Sequence, residues 1–319
     1  MARSNSNKIP CVGLGLCALD YSFAVERYPR LDDKIDAVSF SRQGGGPVPT
    51  ALCTLSKFGI KTAFMGKCGA DHDGSAIRDE LRRFGVDTRK LILDLDSRTP
   101  RAFIIVDKES GKRTVILDRS ASSALSPDEL DASFIRKANY LLIDGREPDA
   151  SAAAAAIVKK AGGEVIIDAG SPRRNIGDLL ALVDHLVASN RFSLDFTQEV
   201  DPGKAALKLA HMGFKSVVIT SGHRGCVGAT PDGELYQQEA FNVDVVDTTG
   251  AGDVFHGAYI YGLIQGWELS QILKFASATA ALKCTRLGGR RGIPELGEVH
   301  ELIDSSRTTD DYIKSEKIS

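Results

Sequence analysis

Two hydrophobic periods alternate along the second half of the chain. From residue 140 onward, short apolar runs rich in β-branched residues are separated by longer segments with helical spacing. This rhythm predicts βα units and a parallel sheet covered by helices on both faces. The predicted strands are YLLID, EVIID, HLVAS and SVVIT, and the predicted helices cover residues 150–160, 176–183 and 203–212.

The first half of the chain mixes this pattern with a second one. Residues 9–16 and 62–69 have the composition of buried strands, and residues 74–84 form an amphipathic helix pattern. The other strand-like runs favour a sheet of their own, and the polar loop KESGK joins two of them as a hairpin. These runs cover residues 19–29, 34–42, 102–106 and 113–117. We expect a small, mostly antiparallel sheet beside the main one.

Two glycine-rich turns precede predicted helices. Gly44, Gly45 and Gly46 are followed by Pro47 and a helical run over residues 51–58. The second turn lies in VDVVDTTGAGDVFHG, where an apolar run over residues 243–246 predicts a strand, the triplet 250–252 a tight turn, and the rest a helix. Glycine permits positive φ and lets an anion approach the first free amides of a helix. Both turns are therefore candidate anion sites.

Asp253 follows directly behind the second turn. A carboxylate there would repel a bound phosphate, so it needs another purpose. We interpret it as a general base that takes the proton of an attacking hydroxyl. The alternative is that Asp253 only stabilises the positive end of the helix dipole.

A dinucleotide fingerprint is present but lacks its context. Gly13, Gly15 and Ala18 satisfy G-x-G-x-x-A, a motif that requires a helix at the second glycine. The following residues, 19–29, favour a strand, so we interpret the glycines as aids to strand packing. Asp20 would then lie just past the end of the first strand, where open α/β sheets bind ligands.

Charge and cysteine content exclude several classes of function. The 319 residues carry a formal net charge of -2, which argues against a nucleic-acid or membrane partner. Because no apolar run approaches the roughly 20 residues needed to span a bilayer, and residues 1–8 lack a signal core, we predict a cytoplasmic protein. The six cysteines show no C-x-x-C pair and are interpreted as thiols without disulfide or zinc roles.

Three motifs, in order, resemble those of one family. The DTTGAGD string resembles the D-T-x-G-A-G-D signature of PfkB, or ribokinase-like, carbohydrate kinases, and the turn at residues 44–46 resembles their G-G-x-x-x-N motif. TSGHRG, over residues 220–225, is similar to their T-x-G-x-x-G turn. On these motifs the chain is identified as a member of this family, with a resemblance that extends from about residue 11 to residue 296.

The resemblance implies an ATP-dependent sugar kinase that uses Mg²⁺. Its fold would be an α/β, Rossmann-type, mostly parallel sheet with helices on both faces and a small β-sheet lid. One domain would cover residues 1–306, with lid strands at about 19–42 and 99–119, and a polar tail would cover residues 307–319. The lid also implies a homodimer.

The resemblance assigns roles to individual residues. The amides of Gly250, Ala251 and Gly252 would hold the γ-phosphate in front of Asp253. The implied sugar-binding residues are Asp20, Lys34, Gly44, Gly45, Gly46, Thr50, Arg113 and Arg146. The implied nucleotide-binding residues are Asn190, Thr220, Gly222, Gly225, Thr249, Ala280 and Cys284. Asp247 and Thr249 resemble a potassium site. The family's N-x-x-E motif reads Asn190 to Ser193 without its glutamate, so no Mg²⁺ ligand is assigned.

The acceptor is suggested by two cations. QGGGPVPTA and AALKCTRLGGRRGIP resemble segments of bacterial sulfofructose kinases, with ketohexokinases a step further away. Lys34 and Arg146 occupy the places where those enzymes present cations to a sulfonate, a tetrahedral oxyanion suited to both side chains. The alternatives are that Lys34 is merely solvated and that Arg146 pairs with Glu147 or Asp149.

Several departures keep other acceptors open. Pro47 and Thr50 replace two sugar-binding asparagines of fructokinases, and an asparagine of the sulfofructose enzymes reads Leu117 or Asp118 here. A fructokinase, a ribokinase or a 2-keto-3-deoxygluconate-type kinase is therefore an alternative. A nucleoside kinase and a non-catalytic sugar sensor are further alternatives.

Overall fold

A computed structural model describes residues 8–119, 121–171 and 176–316, with side chains as far as residue 306. In chain order its strands are β1 (Ile9–Leu14), β2 (Ala18–Val25), β3 (Ser39–Gly45), β4 (Thr62–Gly69), β5 (Asp87–Asp94), β6 (Arg101–Asp107), β7 (Arg113–Asp118), β8 (Ala138–Ile143), β9 (Glu164–Ala169), β10 (His185–Ser189), β11 (Ser216–Thr220), β12 (Cys226–Ala229) and β13 (Leu235–Gln238). The helices are α1 (Pro47–Lys57), α2 (His72–Arg83), α3 (Ala132–Ile135), α4 (Pro148–Lys160), α5 (Gly177–Leu180), α6 (Asn190–Thr197), α7 (Pro202–Ala210), α8 (Ala251–Gln265), α9 (Leu269–Cys284) and α10 (Leu296–Glu316).

Nine strands form the main sheet, in the order β13-β12-β11-β10-β9-β8-β1-β4-β5. The strands from β11 to β5 pair in parallel, whereas β12 and β13 are antiparallel additions at one edge. The apolar runs of the inner strands are buried on both sides because helices cover both faces. In β8, for example, Leu141 faces one core and Leu142 the other. The predicted α/β fold is therefore confirmed.

Helices α1, α8 and α9 pack together on one face of this sheet, and α4 and α7 line the other. Helix α8 is central to the first layer because it packs against both α1 and α9. Its N-terminus, and with it Asp253, is thereby held at the carboxyl ends of the parallel strands. This is the edge at which open α/β sheets bind ligands.

A second sheet has the strand order β3-β2-β6-β7. Two of its pairings are antiparallel and the central β2–β6 pairing is parallel, which confirms a small, mostly antiparallel sheet. Ala102, Ile104 and Val106 form a small buried cluster on its inner face. On the outer face Phe40, Phe103 and Ile116 are 54%, 40% and 58% exposed.

Two strand predictions are wrong in their positions. The apolar run at residues 243–246 is not a strand, and Val245 and Val246 are each 45% exposed. It follows the edge strand β13, and the amides of Val246 and Asp247 donate instead to the Cys284 carbonyl at the end of α9. The strand predicted over residues 34–42 begins only at residue 39 and continues to residue 45. Lys34 consequently lies in an exposed, irregular segment.

Other elements were not predicted at all. Strands β5, β12 and β13 and helix α6 are short or polar, so their periodicity is weak. Helix α1 begins four residues before the predicted helical run, since proline is tolerated in a first turn. The backbone of the predicted polar tail is helical as far as residue 316.

The remaining predictions concern β1, the cysteines and the membrane. Strand β2 follows β1 where a dinucleotide site would need a helix, and a Cβ atom added at Gly13 would lie 2.4 Å from Val48 Cγ1. The glycine therefore serves strand packing. All six cysteines are buried and unpaired. No helix in the described part of the chain is both long and apolar enough to cross a membrane.

Candidate active site

The turn before α8 is accessible to a ligand at Gly252. Gly250 has a φ of 76°, and a Cβ atom added to it would lie 2.9 Å from Gly289 Cα. Gly252 is exposed, and an added Cβ atom would meet nothing within 4 Å. Among the described residues the amides of Gly252 and Asp253 have no acceptor, while the Ala251 amide donates to the Thr248 carbonyl at 3.3 Å. The free amides at this helix N-terminus are able to donate to an anion.

Asp253 lies in the first turn of α8 and is partly buried. Its withdrawal from water and the nearby Asp168 carboxylate raise its pKa to about 6, against the opposing charges of His256, Arg113 and Arg290. A carboxylate with this pKa is ionised near neutral pH and yet basic enough to take a proton. These are the properties that a general base needs.

Asp20 lies in β2 and is 8% exposed. Burial is the largest cause that raises its pKa to about 7, and the charges of Asp253 and Glu80 add to it while Arg290 opposes it. The carboxylate lies against the backbone of Gly45, where a Cβ atom would come within 2.1 Å of its Oδ1. The fold thus brings the two carboxylates from distant parts of the sequence into one electrostatic environment.

The first glycine turn is filled by its neighbours. A Cβ atom at Gly44 would lie 2.0 Å from Arg290 Nη1, and one at Gly46 would lie 2.2 Å from the Leu16 carbonyl oxygen. The Gly44 amide already donates to Glu80 Oε2 at 2.7 Å. Gly44 and Gly45 also pair with β2 as part of strand β3. These glycines are required by close packing around them.

Arg290 was not among the predicted site residues. It is 1% exposed, and its guanidinium donates to the Gly45 carbonyl at 2.9 Å and to Thr50 Oγ1 at 3.4 Å. Glu80 Oε1 lies 3.5 Å from its Nη1, which has no hydrogen-bond acceptor. The hydroxyl of Thr50 is therefore engaged by this arginine. The only sequence signal was the basic loop GGRRGIP.

Arg113 connects the lid with the turn before α8. It lies in β7, and its Nη1 donates to Thr248 Oγ1 at 3.2 Å. Its charge also opposes the rise in the pKa values of Asp20 and Asp253. The small sheet therefore presents a cation at the edge of the site.

Asp247 holds two loops together. Its fully buried carboxylate accepts the amides of Thr249 and Gly288, both at 2.8 Å. Lys283 Nζ donates to the Asp247 carbonyl oxygen at 2.6 Å. Burial lowers the pKa of Lys283, and the Asp247 charge opposes that effect. The hydroxyl of Thr249 is buried without a hydrogen-bond partner.

The predicted nucleotide-binding turn follows β11. Thr220 Oγ1 donates to the Ala188 carbonyl at 3.3 Å, and the exposed Gly222 has a φ of 58°. Gly225 has a φ of 83°, and a Cβ atom there would lie 2.0 Å from the Gln238 carbonyl oxygen. Packing alone therefore explains Gly225, whereas Gly222 has open space around it.

The other predicted nucleotide-binding residues lie on two helices. Ala280 is partly buried on α9, and Cys284 ends that helix with 9% exposure. Asn190 begins α6, and its carbonyl accepts the Ser193 hydroxyl at 3.0 Å. Ser193 stands in the place of the family's glutamate and is 1% exposed. No carboxylate is therefore supplied at that position of the motif.

Asp168 is a second residue that the sequence analysis missed. It lies at the carboxyl end of β9, is 7% exposed and has its Oδ2 3.5 Å from His256 Nδ1. Within the described ranges no group of three or more His, Cys, Asp or Glu side chains could hold a metal ion. Mg²⁺ keeps several waters and uses substrate phosphates, so one carboxylate such as Asp168 suits it. The signal was the aspartate that ends the run EVIID.

Arg146 follows β8 and has no carboxylate partner among the described residues. Within the described ranges its buried Nε has no hydrogen-bond acceptor, and its backbone amide donates to Asp144 Oδ1 at 2.9 Å. Glu147, one of the two partners considered from sequence, instead pairs with Arg119 at 2.7 Å. Lys34 is exposed and forms no ion pair with another described residue. The arginine remains available to an anion.

Comparison with known proteins decides the family. The model of the pfkB family carbohydrate kinases matches residues 6–296. The chain belongs to this family. A pfkB-family relative, the 5-dehydro-2-deoxygluconokinase of Shouchella clausii (strain KSM-K16), is 28% identical over 92% of this chain and 95% of its own length. The probable fructokinase-3 of Arabidopsis thaliana is 30% identical, over 92% of this chain and 91% of its own length.

The pfkB fold is matched in solved structures too. Arabidopsis thaliana ribokinase complexed with ribose and ATP superposes with a TM-score of 0.78 at 26% identity, over 93% of this chain and 99% of that chain. The protein is thus a phosphotransferase with an alcohol group as acceptor, and its relatives are sugar kinases.

Proposed function

We propose that this pfkB-family enzyme transfers the γ-phosphoryl group of ATP to a primary hydroxyl of a small ketose that carries an anionic group. The observation that carries the proposal is the guanidinium of Arg146, next to the carboxyl end of β8, whose buried Nε has no hydrogen-bond acceptor among the described residues. A buried donor without an acceptor costs stability, so a ligand that supplies the acceptor is favoured. A sulfonate, as in 6-deoxy-6-sulfofructose, and a carboxylate share this chemistry.

In the proposed mechanism the free amides at the start of α8 hold the transferred phosphoryl group. Asp253 accepts the proton of the attacking hydroxyl, and Asp20 binds the sugar hydroxyls. The lid, with Arg113, excludes water from the transfer. Phosphoryl transfer needs mainly alignment and positive potential, and the turn, Arg113 and a metal ion would supply them.

Magnesium would neutralise the ATP phosphates when bound, with Asp168 as the residue best suited to hold its water shell. The nucleotide would lie along Thr220, Gly222 and the C-terminal part of α9. Activation by potassium at Asp247 and Thr249, which the sequence predicted, is not part of this proposal, because the Lys283 ammonium donates to the Asp247 carbonyl. Location in the cytoplasm also stays a prediction, in keeping with the use of ATP.

The test is a coupled ADP-release assay with Mg-ATP and a panel of acceptors. The panel contains sulfofructose, 5-dehydro-2-deoxygluconate, 2-keto-3-deoxygluconate, fructose, ribose and adenosine. One charge-assisted hydrogen bond contributes about 1.5–3 kcal/mol, so kcat/KM for an anionic ketose should exceed that for fructose by at least about tenfold. Comparison of the first three compounds tells a sulfonate from a carboxylate.

Arg146→Ala should remove this preference by lowering kcat/KM for the anionic acceptor alone. Lys34→Ala tests the second cation in the same way, and Lys61→Ala is the matched control at an exposed lysine. Turnover of fructose or ribose at equal or better efficiency would overturn the anionic acceptor and leave a neutral-sugar kinase. Turnover of adenosine alone would indicate a nucleoside kinase.

We also propose a homodimer through the lid. The outer face of the small sheet is apolar and exposes Phe40, Phe103 and Ile116. Contact of this face with water is unfavourable, and a partner chain would remove it. Light scattering should give about twice the chain mass of 34.2 kDa. Phe103→Asp combined with Ile116→Asp should yield a monomer, while Met212→Asp, at an exposed position elsewhere, should not.

A further inference from the structure

Lys283 is a fully buried lysine in the last turn of α9. Its Nζ donates to the Asp247 carbonyl oxygen at 2.6 Å, and no carboxylate in the described part of the chain lies within ion-pair distance of it. Lysine is almost never fully buried unless its charge is compensated, because desolvation of an ammonium is costly. The fully buried Asp247 carboxylate is the charge that compensates it.

The lysine side chain lies along the inside of the basic loop that follows α9. A Cβ atom added at Gly292 would lie 3.0 Å from Lys283 Cε and 2.9 Å from the Gly288 carbonyl oxygen. The Asp247 carboxylate binds the amide of Gly288 in this loop and that of Thr249 in the turn before α8. The ammonium therefore lies at the junction of the two segments.

The same junction was predicted to bind potassium. Potassium sites are built from oxygens that replace the hydration shell of the ion, above all backbone carbonyls. Here the Asp247 carbonyl accepts Lys283 Nζ, and both Asp247 carboxylate oxygens accept backbone amides. Of the predicted ligand set, only the hydroxyl and the carbonyl oxygen of Thr249 are without a hydrogen-bond partner among the described residues. A second cation would also meet the like charge of the ammonium, so these residues do not fit a bound potassium ion.

We propose that the Lys283 ammonium takes the place of a monovalent cation behind the turn at residues 247–252, so that catalysis needs no potassium. Lysine suits this role because its ammonium is a compact point charge. In the buried junction the ammonium is poorly screened, so it offsets the negative charge of the Asp247 carboxylate behind the turn. Lys283 is a positioning residue, since it acts through Asp247 and the turn. Only the kinetic test of this proposal depends on the proposed kinase function.

The kinetic test compares activity in potassium-free tetramethylammonium buffer with and without KCl. Wild-type kcat/KM should change by less than about twofold. Lys283→Ala should lose at least about tenfold, less than the about 100- to 1000-fold cost of losing a group that contacts the developing charge. KCl or NH₄Cl should restore it, because truncation leaves space for the ion. Lys283→Met keeps the bulk without the charge and should lose activity without rescue.

Thermal unfolding gives a second readout that needs no sugar. Because a ligand that binds only the folded state raises Tm, KCl should raise the Tm of Lys283→Ala and leave that of the wild type unchanged. Lys274→Ala, on the same helix and without a described ion pair, is the control and should behave like the wild type. This readout remains valid if no acceptor is phosphorylated. The proposal for Lys283 and the proposed kinase function can therefore be refuted independently of each other.

Two results would overturn the proposal. One is activation of the wild type by potassium beyond about twofold, or a potassium-dependent rise of its Tm. The other is full activity of Lys283→Ala in the absence of potassium and ammonium. If the alanine variant does not fold, the wild-type response to potassium and the activity of Lys283→Met decide the question.

Discussion

The two glycine turns of this kinase look alike in sequence and differ in the space around them. The turn before α1 is filled, because Arg290, Asp20 and Leu16 occupy the positions that side chains would take at its three glycines. The turn before α8 is open at Gly252, where an added Cβ atom meets nothing. The three glycines before α1 are packed against protein atoms, whereas Gly252 before α8 leaves room for a ligand.

The hydrogen bonds of the two turns differ in the same way. Glu80 already binds the Gly44 amide, and Arg290 binds the Gly45 carbonyl. At α8 the amides of Gly252 and Asp253 have no acceptor among the described residues. A glycine motif before a helix therefore indicates that other atoms come close to the backbone. The packing around the motif decides whether those atoms belong to a ligand or to the protein itself.

The largest effect is expected from Asp253→Asn at the open turn. The amide cannot take the proton of the acceptor hydroxyl, so kcat should fall by about 100- to 10,000-fold. ATP binding, measured by calorimetry, should persist because the amides of the turn are unchanged. Full residual activity would exclude Asp253 as the base and leave it as a helix-capping residue.

At the filled turn, Arg290→Met should raise the pKa of Asp20 above about 7, because a positive charge that lowers it is removed. The acid limb of the kcat/KM profile should move to higher pH by about one unit, since the carboxylate ionises later. Loss of one partner from a buried charge pair also costs about 3–5 kcal/mol, so folding is checked by circular dichroism. Arg291→Met, at the exposed neighbouring residue, is the control and should leave the profile in place.

Gly45→Ala tests whether packing explains the filled turn. The new Cβ atom would lie 2.1 Å from Asp20 Oδ1, so the carboxylate must move. We expect a loss of about 1–3 kcal/mol in the free energy of unfolding, measured with urea, together with a higher KM for the sugar. An unchanged urea midpoint would show that the turn tolerates a side chain.

Gly252→Ala is the matched change at the open turn and should have the smallest effect on stability. Alanine is favoured over glycine in a helix by about 0.5–1 kcal/mol, so the unfolding midpoint should stay or rise. The methyl group lies where phosphate would approach, so KM for ATP should increase. If KM for ATP does not change, the phosphoryl group does not approach the turn at this glycine.

Much of this architecture could be predicted from residue pattern. The βα rhythm after residue 140 and the strand at residues 62–69 are local signals, and both are confirmed because buried parallel strands need continuous apolar runs. The motif DTTGAGD predicted the turn before α8 because glycine and small residues permit a tight turn, which is a local property of the backbone. The strand predicted from the apolar run at residues 243–246 is wrong. A strand also needs a neighbouring strand with which to pair, and the arrangement of the sheet decides whether one is present.

The family, the glycine turn before Asp253 and the parallel sheet of βα units thus followed from the sequence alone. The tertiary structure decided which polar side chains share one site. Arg290 reaches Thr50 across 240 positions, the charge of Asp253 raises the pKa of Asp20, and Lys283 donates to the Asp247 carbonyl. These relations depend on distance and desolvation between remote segments. Neither quantity is encoded in local periodicity or in a motif.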